Sequence, residues 1–224
     1  IELIAGQVTP EKMAFYPEEW YRQRNINVVL GHRVAGIEPQ RHQIVLDDGT
    51  LVPYDKLVLA MGARSWLPPI AGSERAGVYT LRSMCDALAI RDRAAHVEHA
   101  TVLGGGLLGL DTAMGLRAQG IRVSVVEIMP RLLPRQLDAA GASLLQHLIE
   151  VRGVEVITND SCVSIEGRSQ VERVVLKSGR ILETGMVVIS AGVRSNIGMA
   201  QSAGLHCNQG VIVDERLCTS APDI

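Results

Sequence analysis

The stretch that decides the fold runs from Ala100 to Gly109 and reads A-T-V-L-G-G-G-L-L-G. Its first four residues predict a short β-strand, because they are apolar or β-branched. The residues from Leu107 to Ala118 predict a helix that stops at Gly120. The glycines between strand and helix match the spacing G-x-G-x-x-G, with Gly104 as the first. This arrangement is typical of a dinucleotide-binding loop, although a purely structural turn can share it.

Each glycine of the pattern has its own predicted role. Gly104 permits a tight turn, Gly106 lets a pyrophosphate approach the backbone, and Gly109 lets the helix and the strand pack closely. Leu107 and Leu108 open the helix, where unpaired N–H groups and the helix dipole favour a negative charge. We therefore predict that Gly104, Gly106, Leu107, Leu108 and Gly109 bind a dinucleotide cofactor.

An acidic residue closes the next predicted strand, Arg122 to Glu127. Glu127 lies 23 residues after Gly104, where such folds place the carboxylate that binds the adenosine ribose. A carboxylate accepts hydrogen bonds from a 2′-hydroxyl and repels a 2′-phosphate, so the sequence favours NADH over NADPH. Arg131 follows four residues later. It is interpreted either as a contact to an adenine or a phosphate, or as a solvated loop cation.

The rest of this region alternates strands with helices, as βαβ units do. Asp138 predicts the start of a helix with Leu144, Leu145, Leu148 and Ile149 on its apolar face and Gly153 beyond its end. Further strands are predicted at Val154 to Ile157 and at Met186 to Ala191, and a hairpin at 171–176 and 180–182, across Ser178 and Gly179.

The first 79 residues hold all seven aromatic residues of the chain and predict a separate structural unit. A helix is expected to begin at Pro17, and a hairpin is expected from Gln43 to Val52. The apolar runs Ile26 to Leu30 and Lys56 to Met61 predict strands, the second of them buried on both faces. The boundary is predicted near Leu81 to Cys85.

Composition excludes several classes of protein. The 224 residues carry a net charge of −2, which does not fit a nucleic-acid-binding protein. No apolar run is long enough to span a membrane, and no signal peptide is visible, so we expect a cytoplasmic protein. The four cysteines have no metal or dithiol spacing, and we expect them to be reduced packing thiols. A metal role for His96 and His99 is disfavoured because no further ligand lies near them in the sequence.

Several motifs, in this order, resemble those of FAD-dependent pyridine nucleotide(-disulfide) oxidoreductases. The order begins with Tyr54 to Ala63, which resembles their Y-D-x-L-x-x-A-T-G segment with Met61 in place of Thr. Leu81 to Ala87 is similar to the crossover between their FAD and NAD domains, and the loop of Gly104 matches their NAD loop. Ser190 to Asn196 and Val211 to Ile224 resemble the end of the NAD domain and the return into the FAD domain.

The resemblance implies an α/β fold in which a Rossmann-like NAD(P)-binding domain is inserted in an incomplete FAD-binding domain. The implied domains are 1–82 (partial FAD-binding), 83–205 (NAD-binding) and 206–224 (the returning FAD segment). It also implies that Asp111, where the family has Glu, approaches the nicotinamide. It implies no catalytic acid, base or nucleophile and no metal ligand. It adds these cofactor-binding residues: Ala60, Gly62, Arg82 and Gly192.

The resemblance is strongest to the large subunit of assimilatory NAD(P)H nitrite reductase and the related electron-transfer subunit of nitrate reductase. Glu18 to Tyr21 and Arg135 to Asp138 carry it. It implies hydride transfer from NADH to FAD, and then electron transfer to a siroheme or iron–sulfur centre or to a redox protein. The alternatives are a non-catalytic NAD(H)-binding module, or part of a rubredoxin or ferredoxin reductase or NADH oxidase. Because the chain starts at Ile1 and lacks a flavin phosphate loop, we expect an excerpt that alone holds little or no FAD and is inactive.

Overall fold

The structure is a computed structural model that describes residues 1–224 and has a mixed α/β fold, as predicted. The five helices are α1 (Glu18–Arg22), α2 (Met84–Ala94), α3 (Leu107–Ala118), α4 (Ala139–Val151) and α5 (Gly198–Ser202). The thirteen strands are β1 (Val34–Glu38), β2 (Gln43–Leu46), β3 (Leu51–Pro53), β4 (Ala63–Ser65), β5 (Val78–Thr80), β6 (His99–Leu103), β7 (Arg122–Glu127), β8 (Val154–Thr158), β9 (Cys162–Glu166), β10 (Arg173–Leu176), β11 (Ile181–Glu183), β12 (Met186–Ile189) and β13 (Val193–Ser195). None of the helices combines the length and the apolar character needed to cross a membrane.

The chain folds into two compact units, each built from two separate segments. Unit 1 consists of Ile1–Ala14 and Ser65–Gly192, and unit 2 of Phe15–Arg64 and Val193–Ile224. The two units are defined by contacts between their own residues. The predicted domains, with bounds at 82 and 205, are defined by the cofactor that each is expected to bind. The assignment of a cofactor to each domain stays a prediction.

A parallel five-stranded sheet with the order β5-β12-β6-β7-β8 forms the centre of unit 1. The middle strands are buried on both faces, which explains why their sequences are apolar without alternation. Helix α3 packs on β6 and β7, α4 packs on β8, and α2 packs on β5 and β12. The predicted alternation of strands and helices is therefore confirmed, and both predicted bounds of α3 are those of the structure.

A small antiparallel sheet with the order β11-β10-β9 belongs to the same unit. The predicted hairpin is confirmed as β10 and β11, whereas β9 was not predicted. Apolar side chains of this sheet, such as Val174 and Ile165, pack against Leu103, Val126 and Ile189 of the central sheet. The other face of the central sheet packs against the helices. Unit 1 is thus a layered structure with helices on one side and strands on the other.

The first residues of the chain pack in the helix side of unit 1. Leu3 and Ile4 are fully buried there. The side-chain amide of Gln119, at the end of α3, donates to the carbonyl oxygen of Ile4 at 3.1 Å. The sequence did not indicate that this segment belongs to the same compact unit as the Gly-rich loop.

Unit 2 contains the antiparallel sheet β1-β2-β3, helix α5 packed on β1, and a two-stranded sheet of β4 and β13. The predicted hairpin is confirmed as β2 and β3, with Gly49 at φ +85° in the turn. The helix predicted at Pro17 is confirmed as α1. A small apolar core holds the unit together, formed by Ile37, Ala200, Leu205 and Ile224 with partly buried neighbours.

Two predicted strands of unit 2 are wrong. Residues 26–30 and 56–61 belong to no sheet. A strand is stabilised by hydrogen bonds to a neighbouring strand, so β-propensity alone does not create one. In the second run, Leu57 and Leu59 pack against the small core while Val58 is exposed. The run is not buried on both faces, and its apolar residues reflect one-sided packing.

Candidate functional site

The Gly-rich loop lies at the carboxyl edge of the parallel sheet, between the end of β6 and the start of α3. Strand β6 is flanked by β7, which follows it in the chain, and on the other side by β12, which comes later. The chain therefore continues from β6 to β7 and β8 on one side, and later adds β12 on the other side of β6. In α/β sheets, ligands bind in the crevice at such a reversal of strand order.

Two of the predicted glycines are required by the loop itself. Gly104 has φ +122°, and a Cβ built on it would lie 2.3 Å from the carbonyl oxygen of Ser190, which follows β12. A Cβ on Gly109 would lie 2.0 Å from the carbonyl oxygen of Gly104. No side chain fits at either position. The loop thus packs closely against both β12 and the first turn of α3.

Gly106 differs from these two because the space that a side chain would occupy is empty. It is the N-cap of α3, with φ −78° and ψ 175°, and no side chain caps the helix there. A Cβ on Gly106 would meet no atom within 4 Å. The space beside Gly106, at the positive end of the helix dipole, is therefore free of other protein atoms. This arrangement fits an anionic group such as a pyrophosphate.

Glu127 lies at the end of β7 and is only 8% exposed. One carboxylate oxygen, Oε2, accepts a hydrogen bond from the backbone N–H of Gly105 at 2.6 Å. The other, Oε1, accepts one from the N–H of Met129 at 2.8 Å. The predicted ribose-binding acid is therefore fixed beside the loop, and each oxygen retains further capacity to accept a hydrogen bond.

Gly105 is a site residue that the sequence pattern did not single out, because it occupies a variable position of G-x-G-x-x-G. A Cβ on Gly105 would lie 2.6 Å from Cδ2 of Leu132 and 3.0 Å from Cβ of Glu127. The run of three glycines from 104 to 106 was the available signal.

Exposed apolar side chains surround the loop. Leu107 and Leu108 lie on the first turn of α3, with Leu107 60% exposed. Ile128 and Met129 follow β7 at the same edge of the sheet, and both are exposed. Asp111, one turn into α3, is also exposed. Apolar surface beside a few fixed polar groups suits the flat rings of a dinucleotide.

Arg131 is half-buried and does not fit the interpretation as a solvated loop cation. One of its terminal nitrogens donates to the carbonyl oxygen of Pro134 at 3.4 Å. Its Nε is buried and has no hydrogen-bond partner. The guanidinium therefore retains donor capacity next to the loop that follows Glu127.

The remaining predicted residues lie elsewhere. Gly192, at φ +104°, follows β12 in unit 1, and its carbonyl oxygen accepts from the N–H of Trp66 at 2.9 Å. Arg82 precedes α2, and its N–H donates to Asp86 at 3.0 Å. Ala60 and Gly62 belong to unit 2, so the structure does not place them in the same unit as the Gly-rich loop.

Asn196 has a role in unit 2 that the sequence did not assign. Its side-chain amide donates to the carbonyl oxygen of Met61 at 2.9 Å, and its N–H donates to that of Gly62 at 3.0 Å. The segment that contains the predicted residues Ala60 and Gly62 is therefore held by the side chain and the backbone N–H of Asn196, the residue that follows β13.

Histidines and cysteines form no metal centre around the loop. Both ring nitrogens of His99 are engaged, by the carbonyl oxygen of Glu183 and by Oγ of Ser124. All four cysteines are free, but Cys85 and Cys218 are exposed, so the prediction that all four are packing thiols is wrong for these two. Burial raises the pKa of the Cys162 thiol to about 11.

The chain is similar to known proteins over nearly its whole length. The family model described as pyridine nucleotide-disulphide oxidoreductase matches residues 3–224. The assimilatory nitrate reductase electron transfer subunit of Bacillus subtilis (strain 168) is 34% identical over 222 residues, and the nitrite reductase [NAD(P)H] of the same organism is 33% identical over 223 residues. The crystal structure of the ferredoxin reductase for the CYP199A2 system from Rhodopseudomonas palustris superimposes with a TM-score of 0.91 at 30% identity.

These similarities cover nearly all of this chain but only part of each relative. The two Bacillus proteins match 99% and 100% of the chain, which spans 29% and 28% of their lengths. The ferredoxin reductase structure matches 96% of the chain, which spans 53% of that protein. The chain belongs to the pyridine nucleotide-disulphide oxidoreductase family.

Proposed function

We propose that unit 1 binds NADH and that the complete protein transfers a hydride from NADH to FAD. The observation that carries this proposal is the uncapped N-terminus of α3, open at Gly106, next to the fixed carboxylate of Glu127. An anion-binding helix end and a ribose-binding acid at one sheet edge match the two polar parts of a dinucleotide.

In this proposal the pyrophosphate lies against the loop from Gly104 to Gly106. The N–H of Gly105 already donates to Glu127, so the N–H groups at the start of α3 remain for the phosphates. The missing side chain at Gly106 leaves the space that a phosphate needs, since no atom lies within 4 Å of its Cβ position.

Glu127 selects the coenzyme in this proposal. Its carboxylate accepts hydrogen bonds from the hydroxyl groups of the adenosine ribose and repels a 2′-phosphate. Arg131 lies four residues beyond, and we propose that a terminal nitrogen of its half-buried guanidinium donates to the adenosine. We expect the negative charge of Glu127 to outweigh the positive charge of Arg131 and to favour NADH, because two backbone amides hold the carboxylate in place.

Asp111 is proposed to lie towards the nicotinamide, as the family resemblance implies. It is exposed on α3, one turn beyond the loop. Its side chain is one methylene shorter than the glutamate of the family, so we expect it to orient the nicotinamide carboxamide less firmly than a glutamate would.

For the complete protein we propose FAD as the second cofactor, with Ala60 and Gly62 of unit 2 among the residues that approach it. Arg82 and Gly192 of unit 1 stay predicted cofactor-binding residues. When bound, the two cofactors supply the hydride donor and acceptor, and the protein orients them. Ala60 is exposed and carries only a methyl group, while Asn196 fixes the adjacent carbonyl groups of Met61 and Gly62. We propose that the chain contributes a fixed backbone surface here.

We further propose that the 224-residue chain alone retains little or no FAD and does not turn over NADH. Two apolar runs with strand propensity, residues 26–30 and 56–61, have no neighbouring strand, and Val29, Leu30 and Val58 are exposed. Purified chain is expected to be colourless and to leave NADH unoxidised with a dye acceptor. A yellow preparation with flavin absorbance contradicts this proposal.

The proposed biological role is electron supply in nitrite or nitrate assimilation. The motifs Glu18 to Tyr21 and Arg135 to Asp138 and the two Bacillus relatives support it. The similarity to a ferredoxin reductase supports a second candidate, in which the acceptor is a small redox protein. Siroheme absorbance and NADH-dependent nitrite reduction in the complete protein would favour the first, and reduction of added ferredoxin or rubredoxin would favour the second.

The proposed hydride transfer is tested on the complete protein loaded with FAD. Under anaerobic conditions, NADH is expected to bleach the flavin absorbance in a single fast phase, and a Gly106→Ala variant is expected to need far more NADH. Flavin that stays oxidised in the presence of excess NADH contradicts the proposal.

A further inference from the structure

We propose that the backbone amides of Gly105 and Met129 hold Glu127 in place and thereby set the preference of the site for NADH over NADPH. Gly105 and Met129 are positioning residues in this proposal, because they act through Glu127. The inference rests on the proposed NADH site and adds the device that gives the site its selectivity.

The two hydrogen bonds approach the carboxylate from both sides. Gly105 belongs to the loop before α3, and Met129 follows β7, two residues beyond Glu127. Their distances to the carboxylate oxygens are 2.6 and 2.8 Å, in the range of strong charge-assisted bonds. With both oxygens engaged, the carboxylate cannot rotate away from the ribose position without breaking one of these bonds.

Gly105 packs closely against Leu132 and Glu127. Leu132 is fully buried, and its Cδ2 would lie 2.6 Å from a Cβ on Gly105. Glu127 Oε2 would lie 3.1 Å from the same Cβ. Gly105 therefore has to lack a side chain for its amide to reach the carboxylate, although its φ is not in the left-handed region.

A fixed carboxylate discriminates more strongly than a mobile one. A glutamate at the surface can swing into solvent and admit a 2′-phosphate at little cost. Here that movement would break both hydrogen bonds and leave the N–H of Gly105, whose bond to Glu127 is buried, without a partner, which is costly. The two hydrogen bonds thus fix the negative charge of Glu127 in one place.

The test is a double-mutant cycle in the 224-residue chain, with the dissociation constants of NADH and NADPH measured for each variant. Gly105→Ala is expected to weaken NADH binding about tenfold and to lower the NADH-to-NADPH selectivity by a similar factor. In a Glu127→Ala background, the same substitution is expected to change NADH binding less than about threefold. Glu127→Asp keeps the charge but shortens the side chain, and is expected to lose selectivity too.

Gly198→Ala serves as the matched control, because a Cβ there meets no atom within 4 Å. It is expected to leave both dissociation constants unchanged. If Gly105→Ala weakens both coenzymes equally, and by the same factor with and without Glu127, Gly105 does not act through Glu127 and the inference is overturned.

A second measurement needs no coenzyme and does not depend on the folding of Gly105→Ala. Hydrogen exchange by NMR is expected to show protected amides at Gly105 and Met129 in the wild-type chain and loss of that protection in Glu127→Ala. Fast exchange at both amides in the wild-type chain overturns this inference even if NADH binds. Protected amides in a chain that binds no NADH overturn the proposed function, and with it the selectivity assigned to this pair.

Discussion

Gly109 packs so closely against Gly104 that a Cβ on Gly109 would lie 2.0 Å from the carbonyl oxygen of Gly104. Gly106, between them in the chain, has no atom within 4 Å of its Cβ position. One motif therefore contains glycines of two kinds. Gly104 and Gly109 are needed by the fold, and Gly106 leaves space in front of the helix.

We expect Gly109→Ala to destabilise unit 1 by about 1–3 kcal/mol, since the added methyl group has to displace backbone atoms. Thermal unfolding followed by circular dichroism measures the change. An unchanged melting temperature would mean that the first turn of α3 relaxes easily and that the close packing is not required.

We expect Gly106→Ala to leave the melting temperature unchanged within error, because its backbone angles suit any residue and the new methyl group meets no protein atom. NADH affinity is expected to fall at least about tenfold, since the methyl group occupies the space assigned to the pyrophosphate. Titration calorimetry on the folded variant measures this. Retained affinity would place the pyrophosphate elsewhere.

We expect Asn196→Ala to destabilise unit 2 by about 1–2 kcal/mol, because it removes the side-chain hydrogen bond to Met61 and leaves that carbonyl group without its donor. NADH binding, which is assigned to unit 1, is expected to stay unchanged. Limited proteolysis with mass spectrometry locates the loosened segment, and Gln201→Ala, an exposed position on α5, is the control. Cleavage confined to unit 1 would contradict the assignment.

The lowered pKa of Asp160 predicts how the free energy of unfolding depends on pH. The hydrogen bond from the Ser178 hydroxyl, followed by bonds from backbone N–H groups including that of Ser161 at 2.8 Å, holds the pKa of Asp160 below its ordinary value. A lowered folded-state pKa adds stability that is present above the unfolded-state pKa and is lost as the pH falls through the folded-state value.

Ser178→Ala is therefore expected to lower the free energy of unfolding by about 1–2 kcal/mol at neutral pH. The difference in the free energy of unfolding between wild type and variant is expected to narrow as the pH falls below about 4 and through the lowered folded-state pKa of Asp160. Urea unfolding across this range measures it, with Ser202→Ala at an exposed position as the control. A gap that does not depend on pH would show that Ser178 stabilises the turn without Asp160.

The sequence predicts those parts of the fold that depend on residues close together in the chain, and it misses those that depend on residues far apart. Strand β7 and helix α3 were predicted to the residue, because burial pattern and glycine signals are encoded locally. The run Ile26 to Leu30 was predicted as a strand and forms none, because a strand also needs a neighbour. The docking of Leu3 and Ile4 against the helix side of unit 1 depends on contacts with residues more than a hundred positions away.

The candidate site shows the same division. The spacing of Gly104, Gly106, Gly109 and Glu127 was readable because the motif is local to one strand–turn–helix–strand unit. The hydrogen bonds from the Gly105 and Met129 amides to the Glu127 carboxylate could not be predicted from the sequence. They depend on the direction of a side chain and of two N–H groups. The exposure of Cys85 and Cys218 likewise followed from packing, which composition does not specify.

The proposed coenzyme site of unit 1 is tested by calorimetric titration of the 224-residue chain with NADH and then with NADPH. We expect saturable binding of one NADH per chain, and NADPH binding weaker by at least about tenfold. No saturable heat with NADH would contradict the assignment of unit 1 as a coenzyme-binding unit. Equal affinities for the two coenzymes would contradict the role of Glu127.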